Sequence, residues 1–121
     1  MGRLLNTSLP LILMTVLVSI LSMGACTAQQ GKEVDYAKAF LVDVRTPAEF
    51  AVGSAKGAVN IPLNEVASRI AEFEGKGQVV VFCRSGSRSG QAKSVLDSKG
   101  IRNVVNGGTW QQVSAKLTAK K

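Results

Sequence analysis

The run QVVVF (Gln78–Phe82) constrains the fold more than any other stretch of the chain. It is apolar, rich in β-branched residues and free of polar alternation. A strand with one wet face alternates polar and apolar side chains, so an unbroken run of this kind belongs to a sheet covered on both faces. FLVDV (Phe40–Val44) reads the same way, GAVNIP (Gly57–Pro62) holds a very short strand, and Ile101 to Val105 reads as a fourth. Between these runs the spacing turns helical. Thr46 and Pro47 form an N-cap and first position for a short helix over Pro47–Phe50. Leu63, Val66, Ala67, Ile70 and Phe73 predict one continuous helix ended by Gly75 and Gly77. Ala92, Val95 and Leu96 predict another stopped by Gly100, and Trp110, Val113 and Leu117 a last one. Strands alternating with helices imply a single α/β domain, with a mainly parallel central sheet of four to five short strands flanked by helices. Such sheets take ligands at the carboxyl ends of their strands. Asp43-Val44-Arg45, Cys83 and Asn106-Gly107-Gly108 all fall there, the glycine pair reading as a turn.

Charge divides the chain before the domain begins. No charged residue occurs from Leu4 to Gly31. Arg3 and the amino terminus precede an apolar core of 11 residues, Leu11–Leu21, too short for a membrane span and suited to an export signal. Met23-Gly24-Ala25-Cys26 then resembles a bacterial lipobox, in which the cysteine is acylated and becomes the first residue. Cleavage after Ala28 and retention of the leader as an anchor are the other two readings. All three put the domain outside the cytoplasm; the first implies a periplasmic protein held to a membrane by lipid on Cys26. The organisation is then a signal peptide over 1–25, a flexible tail over 26–33, the domain over 34–118 and a basic tail over 119–121. The part after the signal holds 14 Lys and Arg against 8 Asp and Glu, a net charge of +6. That excess suits anionic ligands or an anionic membrane surface. The bases are scattered and aromatic residues few, so nucleic acid is not an expected partner. The chain has no histidine and no clustered acids, so no metal site is expected, nor any other cofactor.

The chemistry concentrates in FCRSGSRSG (Phe82–Gly90). A Gly- and Ser-rich loop joining a strand to a helix that is under way by Gln91 can curl its N–H groups inward as an anion-binding nest. Cys83 opens that loop, and the field that binds an oxyanion also stabilises a thiolate. Backbone amides and Arg84 or Arg88 can therefore ionise the thiol without an imidazole. A structural cysteine at a strand end is the bland alternative. With only Cys26 and Cys83 in the chain, and Cys26 in the cleavage region, a disulfide between them is not expected.

The loop Cys83-Arg84-Ser85-Gly86-Ser87-Arg88 resembles the active-site loop of the rhodanese family, the thiosulfate sulfurtransferases. LVDVRTPAEF (Leu41–Phe50) with GAVNIP, and NGGTW (Asn106–Trp110), resemble the family's other motifs, so the resemblance spans Val34 to Leu117. It is strongest to small exported single-domain members. Gly53-Ser54-Ala55 stands where many members have Gly-His-Ile, which implies a change of packing rather than of chemistry.

The resemblance implies a two-step transfer. Cys83 attacks a small anionic sulfur donor and carries a persulfide, and a thiophilic acceptor, a small molecule or a protein, removes the sulfur. Arg84 and Arg88 would orient the donor, and loop amides from Arg84 through Ser85, Gly86, Ser87 and Arg88 to Ser89 would hold the charge. Two rivals are a non-catalytic sulfur carrier or binding module, and a phosphatase or arsenate reductase. The latter enzymes place five residues between cysteine and arginine; here four separate Cys83 from Arg88. Supporting roles fall to four residues near the loop. Asp43 is expected to tie down backbone amides and Arg45 to pair with Glu49 four residues on. Gly107 and Gly108 are expected to allow a tight turn by the pocket. Trp110 reads as core or pocket wall.

Overall fold

A computed structural model of the chain describes residues 33–119. The expected signal peptide over 1–25, the expected acylation site Cys26 and the last two residues of the expected basic tail lie outside the described residues. Residues from Val34 onward form one compact unit. Its sheet has four strands, β1 (Phe40–Asp43), β2 (Val59–Asn60), β3 (Val79–Cys83) and β4 (Val104–Thr109), in the order β2-β1-β3-β4. All three pairings are parallel, as the apolar runs imply. The helices are α1 (Pro47–Val52), α2 (Leu63–Val66), α3 (Ser87–Ser98) and α4 (Trp110–Ala119), with a 3-10 helix over Ala67–Phe73.

β3 shows why its run has no polar alternation. All five of its residues are buried. Val79, Val81 and Cys83 pack with Ala92 and Leu96 of α3, with Phe73 and with Ile61. Val80 and Phe82 pack on the opposite face with Leu41 and Val113 of α4. The pleat thus sends alternate side chains into two cores. It also aims Cys83 at the α3 face, because the thiol shares its parity with Val79 and Val81.

Two elements differ from the sequence-based expectation. The helix expected from Leu63 to Phe73 is α for one turn and 3-10 thereafter, with a kink at Arg69 (φ −118°, ψ 29°). Arg69 there is held by Glu72 through Nε and by Glu65 at 3.8 Å. The tighter winding ends with Phe73 edge-on to Phe40, ring centroids 5.9 Å apart. The second difference is β4, expected over Ile101–Val105 and found over Val104–Thr109. Ile101 is still in the turn that closes α3, its N–H donating to the Leu96 carbonyl. The ladder instead continues through the glycine pair. Val81 pairs with Asn106 and Phe82 with Gly108, which leaves Gly107 as a bulge. A β-carbon on Gly107 would lie 2.8 Å from methyl groups of both Val80 and Val113, so only glycine lets β4 approach the sheet and α4 together. Gly107 and Gly108 therefore form a strand rather than a turn.

Candidate active site

The site lies at the carboxyl ends of β1, β3 and β4. Thr46 caps α1 with a reciprocal capping box: the Glu49 amide donates to Thr46 Oγ1 at 3.2 Å, and the Thr46 amide to Glu49 Oε2 at 3.0 Å. This fixes the Glu49 carboxylate, which takes both arms of the Arg88 guanidinium at 2.8 and 3.0 Å. The bidentate bond to Arg88 and the Thr46 amide hold the Glu49 carboxyl far below the usual carboxylate range. Arg45 does not pair with Glu49 as expected. It folds back on Asp43, whose carboxylate accepts from the Arg45 amide at 2.9 Å and from its guanidinium at 2.6 Å. The same guanidinium donates to the Gly53 carbonyl at 2.6 Å and lies 5.5 Å from the Trp110 ring centroid. Asp43 thus ties one amide, that of Arg45, and chiefly holds a buried cation rather than the cysteine loop. Ser54, in the stretch that departs from the family pattern, donates its hydroxyl to Asp43 at 2.8 Å.

Cys83 ends β3 fully buried as a free cysteine. The loop that follows is shorter than expected. Gly86 adopts φ +90°, and Ser87 is already the first residue of α3. The turn brings the Gly86 amide within 3.0 Å of the Cys83 sulfur, at the amino end of a 12-residue helix. Ser89 Oγ is 3.5 Å from the same sulfur. Burial pushes the thiol up, but the Ser89 hydroxyl and the amides of Ser89, Ser85 and Gly86 outweigh it and lower it from 9.0 to about 7.

The predicted loop residues therefore divide by position. Arg84, Ser85 and Ser87 are exposed around the sulfur. Arg84 makes no ion pair among the described residues. Arg88 is committed to Glu49. Ser89 is fully buried, its hydroxyl engaged with Asn106 Oδ1 at 2.7 Å and with the Cys83 sulfur at 3.5 Å.

Two clefts flank the Arg88–Glu49 bridge. Glu49 lines one of about 320 Å³ with Arg45, Val52, Arg84, Trp110 and Gln111. Arg88 lines another of about 370 Å³ with Val44, Thr46, Pro62, Leu63 and Asn64. Trp110 is thus both pocket wall and a flank of the second core.

Asn106 is the residue whose part the sequence did not disclose. Its Oδ1 accepts from Ser89 Oγ at 2.7 Å and from the Gly108 amide at 3.0 Å, while its Nδ2 donates to the Gly86 carbonyl at 3.0 Å. Only its place at a predicted strand end, beside two glycines, pointed to the site. The Glu49–Arg88 bridge had a clearer signal, since Thr46-Pro-Ala-Glu49 is a capping-box pattern that turns the glutamate back toward the strand end.

A parallel α/β domain with a lone thiol cradled at a helix start defines a class, and comparison with known proteins identifies it. Residues 27–113 match the rhodanese-like domain family, and the chain belongs to it. It is 39% identical over 75 residues to the thiosulfate sulfurtransferase PspE of Escherichia coli, covering 60% of this chain and 72% of that one. It is 42% identical over 66 residues to a sulfurtransferase of Allochromatium vinosum, covering 54% of this chain and 62% of the relative. Among solved structures it resembles an E. coli rhodanese with anions at a TM-score of 0.56 and 39% identity, covering 60% of this chain and 88% of that one.

Proposed function

We propose that this chain is a sulfurtransferase that moves a sulfane sulfur from thiosulfate, or a similar small anion, to a thiophilic acceptor through a persulfide on Cys83. The observation that carries this reading is the sulfur's position, 3.0 Å from the Gly86 amide at the start of α3, with its thiol lowered to about 7. The Cys83 thiolate attacks the outer sulfur of thiosulfate. A sulfur–sulfur bond forms, the donor's own sulfur–sulfur bond breaks, and sulfite leaves with the electron pair. An acceptor such as cyanide then takes the outer sulfur as thiocyanate, and the bonding pair returns to Cys83 as thiolate. Neither step moves a proton, which suits a site without a general base. The amides that hold the thiolate receive the charge back at the end of each cycle. Arg84 supplies the attraction for the donor, since Arg88 is occupied by Glu49.

The test is thiocyanate formation from thiosulfate and cyanide by the full chain beside its Cys83→Ser variant. Activity in the first and none in the second is expected; equal activity in both removes Cys83 from the mechanism. If the native chain forms a Cys83 persulfide without turnover, it is a carrier awaiting a protein acceptor rather than an enzyme.

We also propose that residues 1–25 export the domain and that Cys26 is acylated, which tethers it in the bacterial periplasm. The leader's uncharged core and the Met23–Cys26 pattern support this. A mass spectrum of the protein from its native membrane should show lipid on Cys26, and an unmodified thiol there would exclude the tether.

A further inference from the structure

We propose that Asn106 is a positioning residue that acts on the Cys83 sulfur through the Ser89 hydroxyl, whose single hydrogen it holds while the sulfur is neutral and releases when the sulfur is charged. The inference rests on the reading that Cys83 reacts as a thiolate.

The geometry leaves few arrangements. Asn106 Nδ2 donates to the Gly86 carbonyl at 3.0 Å, so its oxygen must be the atom facing Ser89 and the Gly108 amide. Ser89 Oγ lies between two acceptors, 2.7 Å from Asn106 Oδ1 and 3.5 Å from Cys83 Sγ, and a hydroxyl has one hydrogen to give. With Cys83 a thiol, S–H donates to Ser89 Oγ and Ser89 donates to Asn106. When the thiol loses its proton to solvent, the sulfur becomes acceptor only, and the Ser89 hydrogen turns to it. Asn106 Oδ1 is not then stranded, because the Gly108 amide still donates to it and the residue is exposed to water. In the persulfide the charge moves to the outer sulfur, and the hydrogen can return to Asn106. The hydroxyl thus follows the charge through the cycle with no heavy atom moving. Gly86, with φ +90°, and Gly108, with φ +81°, take backbone conformations that favour glycine, and one amide side chain bridges the two residues.

The surrounding charges are Arg84 and Arg88 from the loop and α3, Glu49 from α1, and Asp43 and Arg45 from the end of β1. Glu65 of α2 is turned to Arg69, and β4 and the first turn of α4 bring no charged residue. These groups are common to every variant below and cancel between them.

The experiment is the pH dependence of iodoacetamide alkylation at Cys83, read on its own peptide by mass spectrometry in the full chain. That readout is independent of sulfur transfer, so an inactive chain still reports on Asn106. Ser89→Ala should raise the alkylation midpoint by about one pH unit, the loss of one hydrogen bond to an ionised group. Asn106→Asp, whose new charge is exposed to solvent, should hold the Ser89 hydrogen and raise the midpoint by a similar amount, about one unit. In the double variant Asn106→Asp should add nothing to Ser89→Ala. An Asn106→Asp shift that persists undiminished without the Ser89 hydroxyl would mean a direct field effect and overturn the proposal, as would no shift at all. Should the aspartate variant not fold, the native chain gives the same answer by NMR. The Asn106 side-chain and Gly108 amide resonances should titrate at the Cys83 midpoint, and lose that titration in Ser89→Ala; resonances that stay flat in the native chain refute the relay.

Discussion

Replacing Asp43 by asparagine tests whether the charge pair beneath the site is structural. Asp43 is fully buried and Arg45 is 5% exposed, so Asp43→Asn keeps the shape and leaves a guanidinium without its counter-charge. Breaking a buried pair from one side costs about 3–5 kcal/mol. Arg45 also lines the cleft beside Arg84 and donates to the Gly53 carbonyl, so water and a remaining acceptor favour the lower end, about 3 kcal/mol. For a domain of this size each kcal/mol lowers Tm by about 4–8 °C, so the variant should melt at least about 12 °C below the native chain. Asp43→Leu with Arg45→Met removes both charges and should recover part of that loss, because two apolar groups need no partner. The assay is a thermal melt followed by circular dichroism, with Cys83 alkylation measured well below the transition. A Tm within about 4 °C of native for Asp43→Asn would refute the argument from burial. So would a double variant less stable than Asp43→Asn. A normal Tm with a displaced alkylation midpoint would move Asp43 from the scaffold into the chemistry.

The remaining expectations concern the loop and the bulge. Arg84→Ala should raise the thiosulfate KM roughly tenfold, the loss of one charged hydrogen bond, while Arg88→Ala should change it less. Glu49→Ala, which frees Arg88, should lower KM, and a KM indifferent to Arg84 would overturn its role. Sulfur loading of Cys83 from thiosulfate should rise with pH through about 7 and then level; a rise that continues to 9 would mean an unperturbed thiol. The sign for stability follows from the same shift. The fold favours the thiolate, so this contribution is fully present above the unfolded value of 9.0 and fades as pH falls through about 7, which a Cys83→Ser comparison of melts against pH can read. Gly107→Ala should cost about 1–3 kcal/mol by forcing a methyl against Val80 and Val113, whereas Gly77→Ala, with open space around it, should be nearly neutral in the same melt.

What the sequence discloses here depends on whether a residue's partner is local. The run at Val79–Phe82 carries its own signature, because burial on both faces needs only its own composition, and from it the covered parallel sheet follows. The position of Cys83 at a strand end follows too, since the end of the apolar run is a property of adjacent residues, whereas the helix starts at Ser87, earlier than the loop composition suggested. Partners chosen across the fold left weaker traces. Arg45 had two acids in reach along the chain, Asp43 and Glu49. Spacing suggested the second, but the second was already claimed by the Thr46 cap and by Arg88, which is 39 positions away. Ser89 was expected to contribute only its amide; that its hydroxyl also turns to the sulfur depends on Gly86 starting the helix early. Gly107 and Gly108 read as a turn because glycine pairs commonly are one, and no local pattern could report that Val80 and Val113 press on that spot from two sides. These misreadings at the site share one cause. Each concerns a residue at the seam between β4, the cysteine loop and α1, where contacts distant in sequence override local preference. That seam is also where the chemistry lies: without a histidine the charged sulfur is held by donors from Ser85 to Ser89, and Asn106 of β4 braces that segment through Ser89 and Gly86.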